Sequence, residues 1–120
     1  MRALVLLAHG SRDPAWAEPF ARVLAAVRAA APGCDARLAF LESMTPDLAT
    51  AVAAALAAGA GAVTIVPLFL GQGGHVRRDL PALVESLRQA HPGVAIDCVA
   101  TAGEDDAVLT ALAGYCLRWQ

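Results

Sequence analysis

Cysteine is scarce in this chain of 120 residues. Cys34, Cys98 and Cys116 are odd in number and far apart. They show no C-x-x-C pair, so neither a disulfide framework nor a zinc–thiolate site is indicated. Unpaired thiols fit a reducing compartment, and a cytoplasmic location is expected. Long apolar runs are lacking too. Every apolar stretch is short or broken by Gly, Pro or charge, well under the ~20 residues of a membrane span. The run Met1–Ala8 is followed by His9-Gly10-Ser11-Arg12 without a convincing small-residue cleavage site, so it reads as a buried strand rather than a leader. An excess of charge is also missing. The net charge is −2, so no global field draws the chain to nucleic acid or to a membrane. Finally, no nucleotide motif is complete. The glycine-rich stretch Gly71-Gln72-Gly73-Gly74 lacks the Gly-Lys-Ser/Thr ending of a phosphate loop. Position 76, where a dinucleotide fingerprint needs glycine, is Val76.

What is present is apolar and periodic. Hydrophobic residues make up 58% of the chain, above the usual ~45–50%. Much of that excess is alanine, which favours helices packed closely on a sheet. Short apolar runs at Arg2–Ala8, Asp35–Leu41, Ala62–Leu68 and Val94–Ala100 predict four strands. Helical spacing follows each. Phe20, Val23, Leu24 and Val27 form the first stripe, and Leu48, Val52 and Leu56 the second. Leu80, Leu83, Val84 and Leu87 form the third, and Leu109, Leu112 and Cys116 the fourth. Thr45 is expected to cap the second helix with Pro46 at its first position. Gly59 or Gly61 is expected to end it. The acidic cluster Glu104, Asp105 and Asp106 suits the start of the fourth. Pro19 and Pro81 fall inside helical patterns, so each helix should start late or carry a separate first turn. Tyr115 and Trp119 read as packing or a dimer contact. Four β–α units predict one α/β domain over residues 1–120: a four-stranded parallel sheet, order 2-1-3-4, with helices on both faces.

That order puts a switch point between the first and third strands, where ligands bind in such sheets. His9 follows the first strand and His75 follows the third, behind the glycine-rich loop. Alone, either could be a histidine bonded to local backbone. Together, two imidazoles at one sheet edge can hold a divalent metal or accept protons near neutral pH. Glu42 ends the second strand at the same edge. It is either a solvated loop charge or the carboxylate of a partial shell open to Fe, Co, Ni or Zn. Gly10-Ser11 allow a tight turn, and Arg12 reaches the rim. Asp13-Pro14 reads as a cap and first helical residue. Gly73 and Gly74 let backbone hug a ligand. Arg77 and Arg78 are either an exposed basic pair or a clamp for substrate carboxylates. His91, before Pro92-Gly93, has no assigned role. An α/β-hydrolase would need a G-x-S-x-G elbow, which is absent.

The stretch Leu7-Ala8-His9-Gly10-Ser11-Arg12-Asp13-Pro14 resembles the opening of the CbiX/SirB family of small tetrapyrrole chelatases. Ala39-Phe40-Leu41-Glu42 with Thr45-Pro46 resembles that family's second signature. Pro67–Leu70 through Gly74-His75-Val76, with Asp79-Leu80-Pro81, resembles its third. The three occur in the family's order over nearly the whole chain. The resemblance implies a flavodoxin-like, three-layer fold and ATP-independent insertion of a divalent metal into sirohydrochlorin. Cobalt is favoured, and nickel and iron are the alternatives. No permanently bound cofactor is implied, because the metal is a substrate. His9 and His75 fall on metal-binding positions and Glu42 on an acidic, catalytic one. Ser11, Arg12, Gly73 and Gly74 are expected substrate contacts, and so, from their location next to His75, are Arg77 and Arg78. With one copy of each motif, the chain matches the short form, which is expected to work as a homodimer. A non-catalytic metal or tetrapyrrole carrier would need the same ligands and stands as the alternative of another class.

Overall fold

A computed structural model describes residues 1–120. Four strands, β1 (Arg2–Ala8), β2 (Asp35–Phe40), β3 (Ala62–Pro67) and β4 (Ala95–Cys98), form one parallel sheet in the order β2-β1-β3-β4. Four helices alternate with them: α1 (Glu18–Ala30), α2 (Leu48–Ala57), α3 (Gly74–Ala90) and α4 (Asp106–Leu117). The expected α/β class and strand order are therefore observed. β1 sits centrally and is buried almost throughout, as a strand between two parallel neighbours must be.

Strand alternation divides the sheet into two faces. One face carries Ala3, Val5 and Leu7 of β1, Ala39 of β2, Val63 and Ile65 of β3 and Ile96 of β4. It packs against Leu48, Ala51, Val52 and Ala55 of α2 and Val76, Leu80, Val84 and Leu87 of α3 in one core. On the other face Leu6, Ala8, Ala36 and Phe40 are buried on the side of the sheet where α1 packs along β2. The Arg28 guanidinium, through Nε and Nη2, donates to the Ala36 carbonyl at 3.0 and 2.8 Å and ties α1 to that strand.

Several helix boundaries differ from the sequence expectation, each for a local reason. α2 is capped by Asp47, whose carboxylate accepts from the Thr50 amide at 2.8 Å, rather than by Thr45. The Thr45–Pro46 peptide is cis, and the Pro46 carbonyl accepts from the Phe40 amide at 3.0 Å. Pro46 is thus held against the end of β2, and the helix can begin only after it. Pro19 behaves as expected: a separate 3-10 turn, Pro14–Ala17, precedes α1, capped by Asp13. Pro81 does not delay α3, which runs through it. An interior proline costs about 3 kcal/mol, and the buried stripe Val76, Leu80, Val84 and Leu87 spans both sides of it. Gly59, with φ +108°, follows α2 as predicted. The predicted inner face of the fourth helix is not inner within this chain: Leu109, Leu112 and Cys116 are all exposed. No helix is long and apolar enough to cross a membrane.

Candidate metal centre

Parallel registry assembles the first half of the site. β1 and β2 pair from Ala3↔Asp35 to Ala8↔Phe40. The ladder then continues beyond both strands: the Leu41 amide donates to the Ala8 carbonyl at 3.0 Å, and the Glu42 amide to the His9 carbonyl at 3.1 Å. His9 and Glu42 therefore leave the sheet side by side. Their side chains meet, with His9 Nε2 2.7 Å from Glu42 Oε1. With an ionised carboxylate, which only accepts, facing a neutral imidazole, Nε2 is the donor of this pair and Nδ1 keeps a free lone pair. Phe69 stands edge-on to the imidazole at 6.2 Å between centroids. Gly10 makes this approach possible. Its φ is +103°, and a Cβ there would collide with the Glu42 carbonyl. Ser43, directly after Glu42, is also left-handed, at φ +64°.

The second half comes from the first turn of α3. Gly73 takes the cap position and His75 is the second helical residue. Four residues on, Asp79 shares its helix face, with Oδ2 3.0 Å from His75 Nδ1. A proton on Nδ1 facing that carboxylate leaves Nε2 open. Asp79 was missed as a site residue by sequence reasoning. Its signal was the i,i+4 spacing from His75.

Both pairs face one cavity of about 270 Å³. His9, Glu42, His75 and Asp79 supply its polar wall, and Leu41, Val76, Leu80 and Leu83 its apolar one. The three residues expected to act together thus share a single space. No three His, Cys, Asp or Glu side chains are grouped closely enough to hold an ion at once. The arrangement is two histidine–carboxylate pairs across an open cleft, not a closed shell. A closed shell would suit a structural ion, and an open one suits an ion that must leave.

The remaining expected contacts are placed differently. Ser11 Oγ accepts from the Asp13 amide at 3.1 Å and so serves the turn. Arg12 and Arg78 are exposed. Gly73 and Gly74 open α3 beside His75 but do not line the cavity. Arg77 lines a different cavity, with Gln72, Arg88, Cys98 and Glu104. Burial pushes the Cys98 thiol up, against the pull of the Arg88 guanidinium. Without a metal it therefore stays a protonated thiol near neutrality.

A family model described as CbiX matches residues 3–115. The chain belongs to the CbiX family. Among solved structures, a cobalamin (vitamin B12) biosynthesis CbiX protein from Marinobacter aquaeolei VT8 superposes with a TM-score of 0.87 at 33% identity, covering 98% of this chain and 96% of that one. SirB from Bacillus subtilis, solved with Fe3+, gives a TM-score of 0.80 at 26% identity, covering 94% of this chain but 45% of SirB. A sirohydrochlorin cobaltochelatase from Methanocaldococcus jannaschii is 33% identical over 91 residues, which is 76% of this chain and 64% of that protein. The chain spans about three-fifths of the length of the curated relatives it matches.

Proposed function

We propose that this CbiX-family chain is a chelatase that inserts Co2+ into sirohydrochlorin without ATP, in cobalamin or related tetrapyrrole synthesis. The observation that carries the reading is the shared cavity with a histidine–carboxylate pair on each side. The names of the matched cobaltochelatases support the metal and the macrocycle. His9 and His75 take the incoming ion through the nitrogens their carboxylates leave free. Insertion of one divalent ion displaces two pyrrole protons, so charge balances without a further reactant. Glu42 takes one proton and a histidine the other, and both pass to water. The strength of such proton acceptance lies in position: Glu42 already stands at hydrogen-bond distance from the imidazole it must relay with.

The macrocycle carries many carboxylates. Arg78, three residues after His75, shares its helix face and is the better placed of the two neighbouring arginines. Arg12 and Ser11 offer further contacts from the loop after His9. A Cβ at Gly73 or Gly74 would meet nothing within 4 Å. The chain's own packing therefore does not account for these glycines, and they leave room for close approach of a flat ring.

The cavity is below the roughly 300–1,000 Å³ of pockets that enclose a drug-sized ligand, and the chain covers only 45% of SirB. Both facts support a homodimer in which a second copy completes the cleft. The three free thiols support a cytoplasmic setting. Anaerobic initial rates with Co2+, Ni2+ and Fe2+, followed by absorbance of the macrocycle, test the reading. Cobalt is expected to be fastest with many turnovers per chain. Product limited to one equivalent would identify a carrier, and a faster rate with nickel or iron would reassign the metal.

A further inference from the structure

α4 has the composition of a buried helix and none of the burial. Every residue from Leu109 to Gln120 is exposed. Leu109 is 46% exposed, Leu112 41%, Tyr115 55%, Leu117 60% and Trp119 72%. Leu109, Leu112, Tyr115, Cys116 and Trp119 form one stripe at helical spacing, and a helix so apolar needs a covering surface. Its ordered aromatic end, with Tyr115 and Trp119 at 6.2 Å and Arg118 over the Tyr115 ring at 5.4 Å, is presented to solvent.

The same chain carries the complementary vacancy. On the sheet face where α1 packs along β2, the outer half of the sheet is bare. Thr64 and Val66 of β3 are half-buried, while Ala95 and Asp97 of β4 and Val99 just beyond it are exposed. Layered α/β domains put a helix there. A helix of 12 residues is about 18 Å long, and six strand residues span about 20 Å, so the two match. Running antiparallel to the strands, α4 would set Leu109 and Leu112 over Val66 and Val99. Tyr115, Arg118 and Trp119 would then lie over the polar end, where Arg2 donates to Thr64 Oγ1 at 2.6 Å and Asp97 stands beside it.

The chain's own sheet is not where α4 is aimed. The segment before it is clamped to the loop after β3. Thr101 Oγ1 donates to the Phe69 carbonyl at 2.6 Å, and the Gly103 amide donates to the same carbonyl at 2.8 Å. Gly103 packs so tightly that a Cβ would collide with the Leu70 carbonyl. These contacts hold the helix outward. The radius of gyration is accordingly 14.9 Å, against roughly 13.6 Å for a compact domain of this length.

We propose that two copies of this chain exchange α4, each helix covering the bare β3–β4 face of the other. This deepens the homodimer reading and rests on it. The exposed surface of Leu109, Leu112, Tyr115 and Trp119 amounts to roughly 480 Å² on one copy, so two copies bury roughly 950 Å² from these residues before the covered sheet face is counted, close to the ~1,000 Å² that a specific interface needs. Exchange of identical elements is a low-cost route to such a dimer.

Complementation between two full-length variants tests it. One carries Leu112→Asp and Tyr115→Asp on the helix. The other carries Ala95→Arg and Val99→Arg on the face. All four positions are exposed, and circular dichroism verifies folding of each. By light scattering, the unsubstituted chain is expected at twice its 12.3 kDa and each variant alone at one copy. An equimolar mixture is expected to recover the dimer, because one intact helix meets one intact face. A helix variant that stays dimeric overturns the exchange and leaves the homodimer standing, as does a mixture that stays monomeric. An unsubstituted chain that is monomeric overturns both.

Discussion

The two histidine–carboxylate pairs face the same cavity but are built by different means. His9 and Glu42 are fixed by the backbone: a parallel ladder extended past its strands, a left-handed Gly10 pressed on the Glu42 carbonyl, and Phe69 against the ring. His75 and Asp79 ride on the first turn of α3, behind a glycine-rich loop, and the His75 side chain is 80% exposed against 45% for His9. On the chelatase reading proposed above, the strand edge is the fixed point for the incoming ion and the helix start the more exposed, adaptable one.

That contrast can be broken at its rigid side first. His9→Ala should lower metal insertion by about 10²–10⁴-fold, the range for loss of a positioned acid–base group, with the fold intact by circular dichroism. If His75→Ala cost more than His9→Ala, the two roles would be exchanged. Next is Gly10→Ala, which forces a side chain into the Glu42 carbonyl and into a left-handed backbone. It should destabilise the domain by about 1–3 kcal/mol and depress turnover. Gly71→Ala, where a Cβ meets nothing within 4 Å, should leave thermal stability unchanged. Equal effects at the two glycines would mean that the strand edge is no more constrained than the loop.

The adaptable side predicts smaller effects. Asp79→Asn should raise the metal concentration for half-maximal rate by about 10–100-fold, as loss of a carboxylate behind a liganding histidine does. Asp79→Glu should restore part of it. The smallest effect lies outside the site. Hydrogen bonds from Thr50 hold the Asp47 carboxyl below its ordinary 3.8. A carboxylate so lowered stabilises the fold above its unfolded pKa, and the contribution fades as pH falls through the folded one. Asp47→Ala should therefore lower the melting temperature slightly at pH 7. The gap from the unsubstituted chain should close in acid, below 3.8, as thermal melts across that range would show.

Much of this was legible from the residues. The strand order follows from four β–α units and right-handed crossovers, and it is what brings His9, Glu42 and His75 to one edge. Local exceptions were less legible. Thr45-Pro46 carries every sign of a helix start, yet Pro46 is engaged by Phe40 at the end of β2. Pro81 reads as a break, but burial on both sides outweighs its cost. Arg77 and Arg78 look alike in sequence and point to different sides of α3. The stripe on α4 was visible, but periodicity says only that a face wants cover, not which chain provides it.

The central claim is that this open pair of histidines delivers metal catalytically. The most direct measurement counts product per chain: sirohydrochlorin in large excess, Co2+ in excess, anaerobic, followed by absorbance, for the unsubstituted chain and for His9→Ala. The account predicts many equivalents of cobalt–macrocycle per chain and loss of that turnover in the variant. A plateau at one equivalent, or a variant that keeps pace with the unsubstituted chain, would contradict it.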